Sequence, residues 1–282
     1  VNGGKTDINI TLDKNIDLTG KDWTPIGTDY DNSYKGTFDG GGHTITGLTF
    51  TTNDEYAGLF GWLNRAGTVK NVVMEGVQIT SNQIYGGSIG GVVGYSWGTI
   101  ENCSVSGSVS GTVYVGGVVG AQKAGSITGC SSSATVKGTV DVGGVAGEKW
   151  GSMTACYATG NVTLEIDSPK NLSGGGLVGF NGGSSVLACY ATGNVTSTGS
   201  STGNVHIGGF LGDNYTTVTA CYWKNNHEQG IGYNKKSTKA TKVDGTGVTW
   251  KNAVDAMNTA LQNAGSEWRY ELNGALPTLR KL

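Results

Sequence analysis

Apolar residues in this chain come in short runs broken by glycine and small polar residues, and one run keeps returning. It reads Ala57-Gly58-Leu59-Phe60-Gly61, Ile89-Gly90-Gly91-Val92-Val93-Gly94, Val115-Gly116-Gly117-Val118-Val119-Gly120, Val142-Gly143-Gly144-Val145-Ala146-Gly147, Gly174-Gly175-Gly176-Leu177-Val178-Gly179 and Ile207-Gly208-Gly209-Phe210-Leu211-Gly212. The closing glycines at 61, 94, 120, 147, 179 and 212 stand 33, 26, 27, 32 and 33 residues apart. The unit is 26 or 27 residues, lengthened by roughly six in three copies, and a fixed period of this size overrides any domain count drawn from length.

Between the glycine runs, Cys103, Val105 and Val109 keep the period of two of a strand with one buried face, with Gly107 in the remaining inward place. Ile100 stands three residues before Cys103, one out of step. That slip predicts a corner between them, at Asn102 and its equivalents Asn71, Gly129 and Ala155. Each repeat then supplies two or three strands bent around a narrow interior, and successive repeats stack in register about 4.8 Å apart. The predicted fold is all-β, a parallel β-helix (β-solenoid), in which each coil relies on its neighbours and the ends need caps. The glycine pairs suit its corners, where φ is allowed to be positive and backbones pass closely. Cys103, Cys130, Cys156, Cys189 and Cys221 each follow a closing glycine by nine or ten residues, and Val72 fills the slot in the first copy. A slot that takes Val or Cys is apolar, and equivalent side chains on neighbouring rungs point the same way, so free buried thiols are expected.

Residues 1–56 read as N-terminal coils and cap, 57–223 as the repeats, and 224–282 as a C-terminal loop, helix and cap, all in one continuous domain. Within the last part, 224–247 is polar and loop-like. Trp250, Val254, Met257, Leu261 and Ala264 then recur at helical spacing, between a candidate N-cap at Thr249 and a stop at Gly265. Such a helix either covers the open end of the stack or packs along its side.

Composition narrows the class. Glycine accounts for 50 of 282 residues, but three prolines exclude collagen, and 37% hydrophobic residues with seven tryptophans exclude a flexible low-complexity chain. A formal charge of -2 argues against nucleic acid as a partner. No run approaches the ~18 apolar residues of a membrane span, and Val1 does not open a signal peptide, so the chain reads as a soluble, mature or excised piece.

The repeated Gly-Gly-apolar-apolar-Gly, followed by Gly98-Thr99-Ile100-Glu101-Asn102-Cys103-Ser104-Val105-Ser106-Gly107, resembles the GLUG repeat family, whose Gly-Leu-any-Gly core stands at Gly58-Leu59-Phe60-Gly61. The resemblance covers about residues 57–223, and the segments 23–27, 36–40 and 276–279 look like flanks that accompany such repeats. It implies a bacterial, secreted or surface-attached β-helical protein, often adhesin-like and also found as an accessory region of immunoglobulin A peptidases. It brings no catalytic motif to any residue.

Enzyme motifs are absent or accidental. His227-Glu228-Gln229-Gly230-Ile231 lacks the second histidine that a zinc peptidase needs, so no metal site and no cofactor are expected. Gly86-Gly87-Ser88-Ile89-Gly90 and Gly94-Tyr95-Ser96-Trp97-Gly98 match a nucleophile elbow but lead into no helix. Asp29, Asp31 and Asp39 are an alternative acidic site, since a carboxylate pair is able to cleave polysaccharide; the same residues also serve as turn residues.

Two edges remain as binding surfaces. Three residues beyond the closing glycines stand Asn64, Trp97, Lys123, Trp150, Gly182 and Tyr215, so aromatics mark alternate rungs, ~9.6 Å apart and close to the length of a disaccharide. Trp62 and Phe180, one residue beyond their glycines, join the same edge. Flat rings are sugar platforms, although they serve equally to cover a corner of the solenoid. The rival edge is the insertions at 78–87, 164–173 and 196–205, which share one loop position. The expected function is a noncatalytic, adhesin-like module, secreted or on a bacterial cell surface, that binds a glycan or host protein along one face. The alternatives are a polysaccharide-active enzyme and a structural spacer, each within a larger polypeptide.

Overall fold

The computed structural model describes residues 2–84, 86–166 and 171–282. In the coil from 88 to 110 the strands are Ser88–Gly90, Val93–Ser96, Thr99–Glu101 and Ser104–Ser110. Each pairs in parallel with its counterpart one coil on, so that Ile89 faces Val115, Val93 faces Val119, Ile100 faces Ile127 and Val105 faces Ser132. Among the described residues the coils build four parallel sheets, of six, seven, eight and thirteen strands. We name the first three for what they carry: the glycine-pair sheet, from Tyr56–Ala57 to Val205–Gly208; the aromatic sheet, from Phe60–Leu63 to Ile231–Asn234; and the threonine sheet, from Ile10–Thr11 to Val218–Thr219. The protein is the parallel β-solenoid that the periodicity predicts.

Three local expectations are corrected. A repeat has four or five strands, not two or three, because the glycine pair separates two of them and the last is broken in some copies. Gly107 is exposed instead of inward: with φ 119° it forms a bulge at which the register with the neighbouring strand shifts. The glycine pairs also do not need positive φ; their task is close approach. A Cβ on Gly94 would lie 2.7 Å from the Ala57 nitrogen and the Ser88 oxygen, and one on Gly120 would lie 2.3 Å from the Ile89 nitrogen. The glycines that close each repeat thus let the aromatic sheet lie backbone to backbone on the glycine-pair sheet.

The interior is a set of columns. Phe38, Val69, Ile100, Ile127, Met153, Val186 and Val218 are buried one above another. Val72 and all five cysteines are buried, and the cysteines are free, with burial pushing the Cys103, Cys156 and Cys189 thiols up. The predicted corner is left-handed at every copy: φ is 54° at Asn71, 50° at Asn102, 64° at Gly129, 53° at Ala155, 51° at Ala188 and 49° at Ala220. One buried column is polar. Lys149 Nζ donates to Asn181 Oδ1 at 2.6 Å and to the Ser184 carbonyl, and its burial lowers the pKa to about 7. Asn181 donates on to Asn214 at 2.7 Å, and Asn214 to Asn234 at 2.9 Å.

Ile10–Thr11 and Ile16–Asp17 pair in parallel with Thr37–Asp39 and Thr44–Thr46, so the N-terminal segment is the first coil of the stack. Beyond Trp223 the chain does not become a loop throughout: Ile231–Asn234 and Thr241–Lys242 add a further partial rung. Helix α1 (Trp250–Asn263) starts at Thr249, whose capping box with Asn252 satisfies backbone donors at both residues. Gly265, at φ 66°, ends it. Trp250, Val254, Met257 and Leu261 are buried as the spacing predicts, while Ala264 is the exposed C-cap.

The helix lies along the side of the stack and not over its end. Its apolar face shares a core with the corner residues Ala155 and Ala188 and with Tyr190 and Tyr222. The hairpin Trp268–Glu271/Thr278–Lys281 extends this buttress towards the earlier coils, where Lys281 pairs with Glu101 at 2.8 Å. The corner residue follows the buttress. Uncovered corners carry Asn71 and Asn102, which hydrogen-bond each other at 2.8 Å; Gly129 lies under the Trp268 ring; covered corners carry alanine. No helix among the described residues is long and apolar enough to cross a membrane.

Candidate functional site

Where the glycine-pair and aromatic sheets fold onto each other, their outward side chains line a groove along the solenoid. The first bank is the column Tyr56, Ser88, Tyr114, Asp141, Ser173 and His206. The second is Trp62, Tyr95, Ala121, Glu148, Phe180 and Asp213, continued by Tyr233. The banks touch across the groove: the Tyr56 and Trp62 ring centroids are 4.7 Å apart, Ser173 Oγ donates to Asp213 Oδ2 at 3.1 Å, and His206 Nδ1 lies 2.5 Å from Asp213 Oδ1.

Aromatic residues fall into two groups. At the N-terminal end Trp62, 8% exposed, is packed edge-on by Tyr56, Tyr30 and Trp97, so this group mostly satisfies itself. At the other end a run passes from Trp150 to Phe180, Tyr215 and Tyr233, with centroid spacings of 5.9, 5.3 and 5.8 Å. Trp150 and Tyr233 are 43% and 41% exposed. Trp150 leans over Gly182, where a Cβ would come within 3.0 Å of the indole. The structure therefore places Trp62 with Trp97, and Trp150 with Phe180 and Tyr215. Because Phe180 fills the rung between Trp150 and Tyr215, the run has one ring per rung, about one sugar residue each, instead of one per alternate rung.

Between the two groups the groove is charged. Glu148 Oε1 accepts from Trp150 Nε1 at 2.5 Å and Oε2 pairs with Lys123, whose ammonium also sits 5.0 Å from the Tyr114 centroid. Burial, reinforced by the charge of Glu148, holds the Asp141 carboxyl well above its usual range. Burial also raises Asp213, partly offset by His206. None of these charged residues stands out in the linear sequence. The available signal was the slot one residue beyond the closing glycine, which holds Trp62 and Phe180 in some copies and Glu148 and Asp213 in others.

Asp29, Asp31 and Asp39 do not share partners. Asp29 accepts from Asn32 and Thr28 within its own turn, Asp31 is exposed, and Asp39 accepts from Asn71 at 2.9 Å and pairs with Lys70 at 3.2 Å on the threonine sheet. The hydrogen bonds hold Asp29 and Asp39 below the usual carboxylate range. The described parts of the insertions lead into strands of the glycine-pair sheet, and so towards the first bank of the groove; residue 85 of the first insertion and residues 167–170 of the second fall outside the described residues.

A parallel β-solenoid with one repeat-locked groove is the class that fold and site define. Within it, the model of the GLUG motif matches this chain at residues 85–110, 111–137 and 171–196. Over 120 residues it is 38% identical to Halomucin of Haloquadratum walsbyi, which covers 39% of this chain and 1% of that protein. Over 99 residues it is 36% identical to the "Putative Gly-rich membrane protein" of Evansella cellulosilytica, covering 34% of this chain and 11% of that one. The chain thus spans only a small part of these curated relatives. The crystal structure of a "putative immunoglobulin A1 protease" from Bacteroides ovatus has the same fold, with a TM-score of 0.73 over 97% of this chain and 86% of that one, at 22% identity.

Proposed function

We propose that this chain is a noncatalytic module of an extracellular or surface-attached bacterial protein, and that it binds an extended glycan in the groove. One observation carries the reading: the run Trp150–Phe180–Tyr215–Tyr233, exposed at both ends, repeats at the pitch of the solenoid. An extended polymer matches a periodic surface, and aromatic rings give apolar area against sugar C–H groups. The names of the relatives, Halomucin and a Gly-rich membrane protein, agree with a place outside the cell or at its surface.

Calorimetry against a panel of uncharged and charged oligosaccharides tests this reading. Trp150→Ala should weaken binding by on the order of tenfold, the loss of one good platform. Trp97→Ala, in the self-packed group, should cost less. Equal affinity in wild type and Trp150→Ala contradicts the groove.

A second reading, cleavage of the bound glycan, is favoured by Asp141, whose carboxyl is pushed up by burial beside that of Glu148, as in the acid of a glycosidase pair. Product formation from any bound oligosaccharide, lost in Asp141→Asn, would establish it.

A further inference from the structure

Trp150, an exposed ring of the groove, stands beside a carboxylate with two partners. Glu148, 6% exposed, accepts from the Trp150 indole and pairs with Lys123. Beside the indole lie the Phe180 ring and the bare backbone of Gly182, which has no side chain to hold the ring if that hydrogen bond is lost. Lys123 has Glu148 as its ion-pair partner, and burial raises the next carboxyl, Asp141.

We propose that Glu148 is the specificity-determining residue of the groove: it positions Trp150 for an uncharged glycan and, by occupying Lys123, denies an anionic glycan the cation it would need. This rests on the groove reading above. The lysine is itself a small picture of the chemistry, an ammonium held between the Tyr114 ring and a carboxylate. With Glu148 neutral, that ammonium stands unpaired next to an aromatic platform, which is the equipment for a uronate.

The two roles separate by substitution. Glu148→Gln keeps an oxygen for the indole N–H but loses the charge; Glu148→Ala loses both. Calorimetry at low salt uses cello-, chito-, xylo- and mannohexaose as uncharged probes and a hyaluronan hexasaccharide as the anionic one. At least one uncharged probe should bind wild type, bind Glu148→Gln within about twofold, and bind Glu148→Ala and Trp150→Ala on the order of tenfold more weakly. Hyaluronan should bind only the two Glu148 variants, and less as salt rises.

The indole N–H resonance of Trp150, identified by its loss in Trp150→Phe, reads positioning without any ligand: it should shift in Glu148→Ala and stay near its place in Glu148→Gln. The proposal fails if Glu148→Gln loses the uncharged ligand as Trp150→Ala does, if hyaluronan binds wild type equally, or if the resonance is the same in all variants. If no uncharged probe saturates wild type, the groove reading fails, and this proposal with it.

Discussion

At the residue scale the repeat is a set of slots, and exceptions to a slot mark function or contact. The cysteine slot and the corner were legible because several copies vote on each: Val72 and five cysteines define one, and Asn71, Asn102, Gly129 and Ala155 the other. The charged floor of the groove was not legible, because Asp141 and Glu148 meet only once the glycine-pair and aromatic sheets are known to fold onto each other. Asp141 makes a prediction at this scale. Its carboxyl is raised in the folded state, so above about pH 3.8 the unfolded chain releases a proton that the folded chain retains, and stability falls as pH rises towards the folded-state value. Asp141→Asn should therefore raise the thermal midpoint at pH 7 by a few degrees, on the order of 1–2 kcal/mol, and lose that advantage near pH 4. An equal midpoint difference at both pH values contradicts the buried, protonated carboxyl.

At the element scale the C-terminal helix is the clearest case of a pattern that gives a face without its partner. Spacing identifies Trp250, Val254, Met257 and Leu261 as one apolar stripe, but both an end cap and a side buttress would use it. The alanines at the corners of the later copies were the unused signal: a polar corner became apolar where the helix and hairpin cover it. Tyr270 fastens this buttress, donating its hydroxyl to the Ala188 carbonyl at 2.9 Å while Asn258 holds its backbone on both sides. Tyr270→Phe leaves that buried carbonyl unpaired and should cost about 1–3 kcal/mol in denaturant unfolding. Gly129→Ala, which places a Cβ 2.3 Å from the Trp268 ring, should push the hairpin off the stack and speed proteolysis between 265 and 282. Unchanged proteolysis would argue that the hairpin is not seated there. The partial rung at Ile231–Asn234 escaped notice because only Gly232 keeps the repeat signature.

At the scale of the whole molecule, the glycines that close each repeat do two things: they let two sheets lie backbone to backbone, and in doing so they form the groove whose banks carry the rings and charges. The aromatic edge and the insertion edge, which read as rivals along the sequence, border the same groove. The direct test is hydroxyl-radical footprinting with and without a saturating oligosaccharide from the calorimetric panel. The account predicts protection of Trp150, Phe180, Tyr215 and Tyr233, with the threonine-sheet residues Thr68, Thr99 and Thr128 unchanged. Protection of the threonine sheet with Trp150 and Tyr233 as reactive as in the free protein would contradict it.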